Sequence, residues 1–454
     1  MSAPLIMKFG GSSVADAACM RAVAALVQRY LPCSPLVVLS AMGKTTDALF
    51  RAARMASQGQ LEEATEAHAA LMQRHESAAR DLIGGTLPED LRAALATHSQ
   101  ELLTVLTGLS MVRELSLRSM DSVASHGERL STLLFSHYLR ACGLDVTLLD
   151  ARRVICTDAK SGAATPQPRA IAKLAEELVR PHLGPGKVVV TQGYIGATVD
   201  GMTTTLGRGG SDYSAALLGA ALHASEVQIW TDVEGVLTCD PRIVPDAQPI
   251  AELSFAEAAE LAAFGAKVLH PATIQPAVEA AIPVTVRHTL KPDGRFSTIR
   301  GDVKSGRAIT ALATRGPVAV VTVTSSRMLD QSGFLARLFE IFGRYSISVD
   351  LVATAEVSVS VTIENDVDTD KALEEIRAFA SANVVRERAI VALVGEQLRR
   401  TPGVAARAFT ALRGTNIEMI SMGANEINLS LVLAQRDAPD ALRRLHAELL
   451  EGGA

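Results

Sequence analysis

The sequence predicts an α/β protein, with one layered α/β domain of about 300 residues followed by a pair of small repeated α/β units. Three observations carry that reading. Up to about residue 300, short apolar runs alternate with helix-period segments, an order that packs helices against a sheet. One stretch, 46–117, breaks the alternation and reads as almost entirely helical. Beyond a polar segment at 288–307, the chain aligns on itself without a gap at an offset of 70 residues.

The strand-length runs are "PLIMKF", "PLVVLSAM", "DVTLLDA", "KVVVTQGYI", "VQIWTDV" and "PVTVRHT". The helical stretch, from "TDALFRAARMASQ" to "LRAALATHSQELLTVLTGLSMV", reads as a lobe inserted beside the sheet. "HTLKPDGRFSTIRGDVKSGR" has the glycine and proline content of a linker. In the repeat, Gly333 aligns with Gly403, Arg337 with Arg407, Phe339 with Phe409, Ile347 with Ile417 and Glu356 with Glu426. Each copy reads as a strand, a Gly-led helix, two alternating strands and a helix, and the first copy has a further strand, "NVVRERA". The orphan strand "AITALATR" (308–315) is expected to complete the second copy, which nests the first copy inside it. The expected division is 1–300 with the lobe at 46–117, a linker and strand at 301–316, and repeat units at 317–387 and 388–454.

Composition narrows the function classes. The chain has 454 residues, long enough for two to four units at ~150 residues each. Its 44 Lys and Arg against 49 Asp and Glu give a net charge of −5, with no basic run to track nucleic acid. No apolar stretch is long enough to span a bilayer, and the start lacks a signal-peptide pattern, so no membrane partner and a cytoplasmic location are expected. The five cysteines are scattered without CxxC spacing; they read as reduced and mostly packed, and no metal ligand set is assigned.

Two stretches compete as phosphate loops. "VVLSAMGKTT" has Val38 where a P-loop needs its first glycine, so Gly43-Lys44-Thr45-Thr46 reads as a strand-to-helix turn or a polar corner of a site. "KFGGSS" is the better candidate: bare N–H groups between a strand and a helix can face an anion, and Lys8 adds a unit charge. In "TLGRGGSDYSA", Gly207, Gly209 and Gly210 open a second such terminus, with Arg208 able to fork a carboxylate and Asp212 either capping the helix or orienting a lysine. "VQIWTDVEGVLTCDPR" ends a strand at Thr231-Asp232 and reaches Asp240-Pro241-Arg242, which also reads as a turn with a surface ion pair. "FGAKVLHP" offers Lys267. Glu128 in "SHGERLS" is placed at a helix start, as a cap or as a counter-charge for an ammonium group. Two glycine-rich anion sites and three cations, without a Ser/His/Asp or Cys/His arrangement, suit phosphoryl transfer, and a carboxylate acceptor would need no general base.

These motifs in this order resemble the aspartate kinases of the amino-acid kinase superfamily, and "SGFLARLFEIF…SVDLVATAEVSVSV" resembles their first ACT domain. The resemblance covers essentially the whole chain and is nearest to the lysine-sensitive, single-function type. It implies an amino-acid kinase fold, layered α/β/α with a mainly parallel sheet, and two ferredoxin-like βαββαβ ACT domains. It also implies phosphorylation of the β-carboxylate of L-aspartate by ATP with Mg²⁺, the first step toward lysine, threonine and methionine. Lys8 and Asp212 would be catalytic. Thr45, Glu128, Arg208, Gly209, Gly210 and Ser211 would hold the acceptor, with Arg208 on its α-carboxylate and Glu128 on its ammonium. Lys8, Gly10, Gly11, Thr231, Asp232, Arg242, Lys267 and Val268 would hold ATP. Met328, Gly333, Phe334, Leu335, Asp350, Thr354, Glu356 and Val357 would surround an amino-acid effector, lysine by the nearest type, in a homodimer joined through its ACT domains, either alone or as a dimer of dimers.

The chain departs from the family at Ser12 (usually Thr), at Leu237 (a tyrosine in relatives near the lysine-sensitive type) and at Ala355 (a serine). "SAMGKTT" is nearer the branch controlled by lysine and threonine together. The other readings are a superfamily kinase for glutamate or acetylglutamate, and a silent amino-acid sensor built on the kinase scaffold.

Overall fold

A computed structural model describes residues 3–265, 271–301, 303, 306–328, 332–423 and 425–451. It divides into two compact units, Met1–Val236 with Val268–Gly301, and Leu237–Lys267 with Asp302–Ala454.

The first unit is built on a sheet of β1 (Leu5–Phe9), β2 (Pro35–Leu39), β3 (Asp145–Leu149), β4 (Lys187–Gln192) and β7 (Glu226–Thr231), with a small hairpin of β5 (Ile195–Ala197) and β6 (Thr203–Thr205) apart from it. The order is β3-β4-β2-β1-β7, continued by Val284–His288 and Ser297–Arg300. All these neighbours run parallel except the last pair. β1 and β2 are buried at every position, as expected of central parallel strands covered on both faces. The chain leaves β1 toward β2 on one side and returns to β7 on the other. The strand order therefore reverses beside β1, where open parallel sheets bind ligands at their C-terminal ends.

Seven helices precede residue 236 in this unit: α1 (Ala17–Arg29), α2 (Thr45–Ser57), α3 (Leu61–Ile83), α4 (Glu89–Val112), α5 (Leu117–Ala141), α6 (Pro168–Leu178) and α7 (Gly210–Leu222). α2 to α5 form a helical cluster whose leucines (Leu71, Leu91, Leu95, Leu102, Leu106, Leu134) share one core with β1 and β2. α1 starts later than the glycine pair predicts. Residues 11–16 are turns and bends, and Asp16 is the N-cap, accepting from the Cys19 N–H at 2.8 Å. The "GGSS" N–H groups are thus a loop and not a helix terminus. At the centre, Trp230 is fully buried, stacks on Phe9 with ring centroids 5.9 Å apart, and donates its ring N–H to Gln228 Oε1 at 3.1 Å.

The second unit holds a six-stranded antiparallel sheet in the order Val349–Thr354, Ser358–Glu364, Ala311–Thr324, Ser381–Val394, Asn428–Ala434, Met419–Met422. The two central strands are long, 14 residues each, and each serves both repeats. Ala311–Arg315 pairs with Val394–Ile390, which pairs onward with Asn428–Val432; Val318–Thr324 pairs with Glu364–Ser358. The repeated glycines have one cause: Gly333 and Gly403 are helix N-caps with φ of 90° and 85°, a left-handed backbone that side chains resist. Cys239 and Val244 pack into the core of the second repeat, and the Thr238 hydroxyl is hydrogen-bonded to His446 Nε2 at 2.9 Å, which is why 237–267 groups with this unit instead of following a cut near residue 300. Of the cysteines, Cys156 and Cys239 are buried, Cys33 and Cys142 are exposed, and none is in a disulfide. No described helix is long and apolar enough to cross a membrane.

Trp230→Ala should destabilise the chain by about 3–5 kcal/mol, the range for emptying a large aromatic site in a packed core, as read by urea unfolding. Trp230→Phe, which keeps the stack on Phe9, should cost clearly less.

Candidate active site

The first feature of the site is a charge in an awkward place. Lys8 is the penultimate residue of a buried central strand, and its side chain is only 11% exposed. An amine so placed needs a partner, and it has one: Asp212, in the first turn of α7, with Nζ to Oδ1 at 2.6 Å. Asp212 therefore orients the lysine, the second of the two roles its position allowed.

The pair lies on the wall of a cavity of about 670 Å³ that also receives Gly10, Gly11, Glu128, Arg208 and Gly209 to Ser211. Small residues make the walls close. A side-chain carbon on Gly11 would lie 3.0 Å from the Ala41 carbonyl oxygen, and one on Gly127 would lie 2.9 Å from Ala41 Cβ. Gly10 donates its N–H to the Trp230 carbonyl at 3.3 Å, so it contributes closeness and no free donor; the Gly11 N–H has no partner among the described residues. α7 opens at Gly209, in a left-handed conformation with φ 71°, and presents the unpaired N–H groups of a helix start. Ser40, at the end of β2, donates to the Ser211 hydroxyl at 2.9 Å and ties that terminus to the sheet. Arg208 is exposed and makes no ion pair among the described residues.

Glu128 is not at a helix start. It lies well inside α5, fully enclosed, and so cannot be a cap. Its Oε1 accepts from the Ala41 N–H at 3.3 Å, while Oε2 is buried without a partner. Burial pushes its carboxyl up to about 8. A buried acid with one oxygen unanswered, facing a polar cavity, is arranged to receive a cation. Thr45 begins α2 and is buried with its hydroxyl unpartnered, while Lys44, Thr46 and Asp47 take the cavity-lining positions around it.

The remaining assigned residues are placed as follows. Thr231 ends β7 and Asp232 follows it, beside Gly10, and the Thr231 hydroxyl donates to Asp232 Oδ1 at 3.1 Å. Arg242 belongs to the second unit and holds Asp240, with Nη2 to Oδ2 at 2.5 Å, the surface ion pair foreseen as its plain alternative. Lys267 and Val268 lie outside the described residues. In the first repeat, Phe334 is buried and Met328 packs against the core beneath it, while Leu335, Thr354, Glu356 and Val357 are exposed. Val357 returns to the turn before Met328 by accepting from the Ser325 N–H at 2.8 Å. Gly333 caps the helix above them. Asp350 is not a free charge: Arg315 donates to its Oδ1 at 2.8 Å, and burial raises its carboxyl against that pull.

Asp121 and Tyr194 are among the cavity residues that escaped sequence reasoning. Asp121 is buried and accepts from the Gly162 N–H at 2.9 Å and the Thr205 hydroxyl at 2.6 Å, fixing two loops of the wall. It precedes Glu128 by two helical turns on one face, a spacing that would have revealed it had α5 been recognised as one long helix. Tyr194 lines the cavity where a side-chain carbon on Gly210 would approach its Cδ2 to 2.7 Å, so that glycine and tyrosine require each other.

The amino acid kinase family model matches residues 4–288, and an ACT domain model matches 321–378 and 391–449. The chain is 38% identical to the lysine-sensitive aspartokinase 3 of Escherichia coli over 99% of this chain and 100% of that protein. It is 37% identical to the chloroplastic aspartokinase 1 of Arabidopsis thaliana, covering 99% of this chain and 80% of that one. Among solved structures, E. coli aspartokinase III with aspartate and ADP superposes with a TM-score of 0.84 at 38% identity, covering 98% of this chain and 99% of that one. The same enzyme with lysine and aspartate gives 0.82 over the same shares. A family model over more than half the chain and full-length relatives at this identity place the chain among the aspartokinases of the amino acid kinase family.

Proposed function

We propose that this chain transfers the γ-phosphoryl group of ATP to the β-carboxylate of L-aspartate, giving 4-phospho-L-aspartate, the first step toward lysine, threonine and methionine. The observation that carries the reading is the Lys8–Asp212 pair in one cavity with the half-unpartnered carboxylate of Glu128. An acceptor carboxylate is already a nucleophile, so positioning and charge neutralisation supply the catalysis. Lys8 meets the negative charge that builds on the phosphoryl oxygens, and Asp212 keeps its amine aimed. The first turn of α7 and the Gly11 N–H face the anions. Glu128 takes the substrate's ammonium group, and Arg208, free on the rim, takes its α-carboxylate. Gly10, Thr231 and Asp232 border the nucleotide.

Mg²⁺ chemistry fits these residues as a nucleotide-borne ion. Mg²⁺ prefers phosphate oxygens and water to an all-protein cage, and no group of three carboxylate, His or Cys ligands lies at the cavity among the described residues. When bound it would supply further charge neutralisation on the phosphates.

The E. coli relative is named for its sensitivity to lysine, and the exposed Glu356 and the largely buried Asp350 of the first repeat support lysine as effector here. That ligand's side-chain ammonium would compete with Arg315 for Asp350. A homodimer through the ACT sheets and a cytoplasmic location complete the proposal.

The assay that tests the function traps the acyl phosphate with hydroxylamine, using ATP with aspartate, with glutamate and without acceptor. Product with aspartate alone is expected, and no product with any acceptor would sink the kinase reading. Lys8→Ala should lower kcat at least ~100-fold, the scale of losing a preorganised transition-state contact; near-normal turnover would remove its role. Because burial pushes the Glu128 carboxyl up to about 8 and an ammonium needs the charged form, the KM for aspartate should fall as pH rises through about 8 and level off above it. Glu128→Gln should raise that KM and flatten the profile. It should not weaken the fold: a raised acid contributes stability below its unfolded value that is lost as pH rises through about 8, so the neutral amide is spared that loss. Lysine should inhibit the wild type, and Asp350→Asn should raise the lysine concentration needed for half inhibition about tenfold or more while leaving uninhibited turnover unchanged.

A further inference from the structure

We propose that His98, Glu101 and His126 form a binding site for one zinc-class divalent cation in the helical cluster, apart from the kinase cavity. His98 and Glu101 stand three residues apart on one face of α4, and His126 comes from α5. One ligand atom from each lies within 4.8 Å of the others. Tetrahedral zinc with bonds near 2.0 Å needs separations of about 3.3 Å, so small side-chain rotations close the site. A cavity of about 700 Å³ adjoins it, lined by Glu101, Ser122, Ser125 and His126 among others, and leaves room for a water as fourth ligand.

Two observations point to a cation over plain packing. His126 is only 3% exposed, yet its Nδ1 has no hydrogen-bond partner, and the Nδ1 of His98, 3.8 Å from Glu101 Oε2, is likewise buried without a hydrogen bond. Buried polar atoms left unanswered are costly, and two beside one carboxylate form a ligand set lacking its ion.

The surrounding charges are already matched. Arg129 donates to Glu101 Oε2 at 2.8 Å and Arg152 holds Asp150 at 2.6 Å, so neither guanidinium is left to recruit an anion. Arg129 orients the carboxylate through Oε2, and Oε1 has no partner among the described residues. Two imidazoles and one carboxylate favour zinc and its late first-row neighbours over Mg²⁺ or Ca²⁺. The site would fasten α4 to α5 two residues before Glu128.

The test uses the full chain, stripped by a chelator and free of nucleotide, and back-titrated with Zn²⁺ against a chromophoric metal indicator. One zinc per chain is expected, with a rise in melting temperature on zinc addition and a visible d–d absorption band when Co²⁺ replaces it. The His98→Ala/His126→Ala double variant should lose all three, and Glu101→Gln should weaken zinc binding about tenfold. Should the double variant fail to fold, the partly exposed His98→Ala alone should lose the Co²⁺ band. The proposal is overturned if the stripped wild type takes up no zinc, or if the histidine variants bind it with wild-type stoichiometry and affinity.

Discussion

A lysine amine held inside a parallel sheet is the constraint on which the rest of the first unit depends. Lys8 belongs to the strand between β2 and β7, with apolar neighbours along both registers. Its charge is tolerable there only because Asp212 meets it, and that contact pins the start of α7 against the C-terminal ends of the strands. Once α7 is so placed, its glycines, Ser211 and the Ser40 hydroxyl follow, and the reversal of strand order beside β1 becomes a crevice with a cation already at its floor.

What could be read from the sequence was what short-range chemistry dictates. The apolar run of β1, the turn at Gly207 to Gly210 and the repeat of Gly333 at Gly403 each leave a local mark, because backbone conformation and burial constrain neighbouring residues together. The misreadings occurred where a long-range contact decides. Glu128 was placed at a helix start, since polar residues are rarely buried deep in helices, and the partner that receives it inside α5, the Ala41 N–H, lies far away in sequence. Asp121 was hidden for the same reason, because its partners Gly162 and Thr205 lie on distant loops. "GGSS" looked like a helix start because glycine and serine are favoured there, but Asp16 competes for the cap and wins. The partner of Asp350 could not be read either, because Arg315 comes from a strand whose pairing depends on how the two repeats are nested. The histidines of α4 and α5 left no motif at all, since nothing in either helix alone brings them together.

The two units also differ in how they use buried polarity. In the kinase cavity the unanswered groups, Glu128 Oε2 and the Thr45 hydroxyl, lie at or just behind a wall open to small molecules, where a substrate can satisfy them. In the repeats the answer is partly internal: Glu418 answers Arg388 and Arg315 holds Asp350 Oδ1, while Asp350 Oδ2 is buried without a partner. A cationic effector there would share Asp350 with Arg315, whereas in the cavity no side chain among the described residues already holds Glu128.

The two long strands of the second unit have a consequence for how such a protein can change over time. Because Ala311–Thr324 and Ser381–Val394 each run through both repeats, neither repeat owns a full set of strands. Cutting the gene between the copies would leave raw sheet edges on both pieces, and duplicating one copy would yield a unit one strand short. The pair can therefore be lost, moved or fused elsewhere only as a whole, and a mutation in either shared strand reaches both repeats at once.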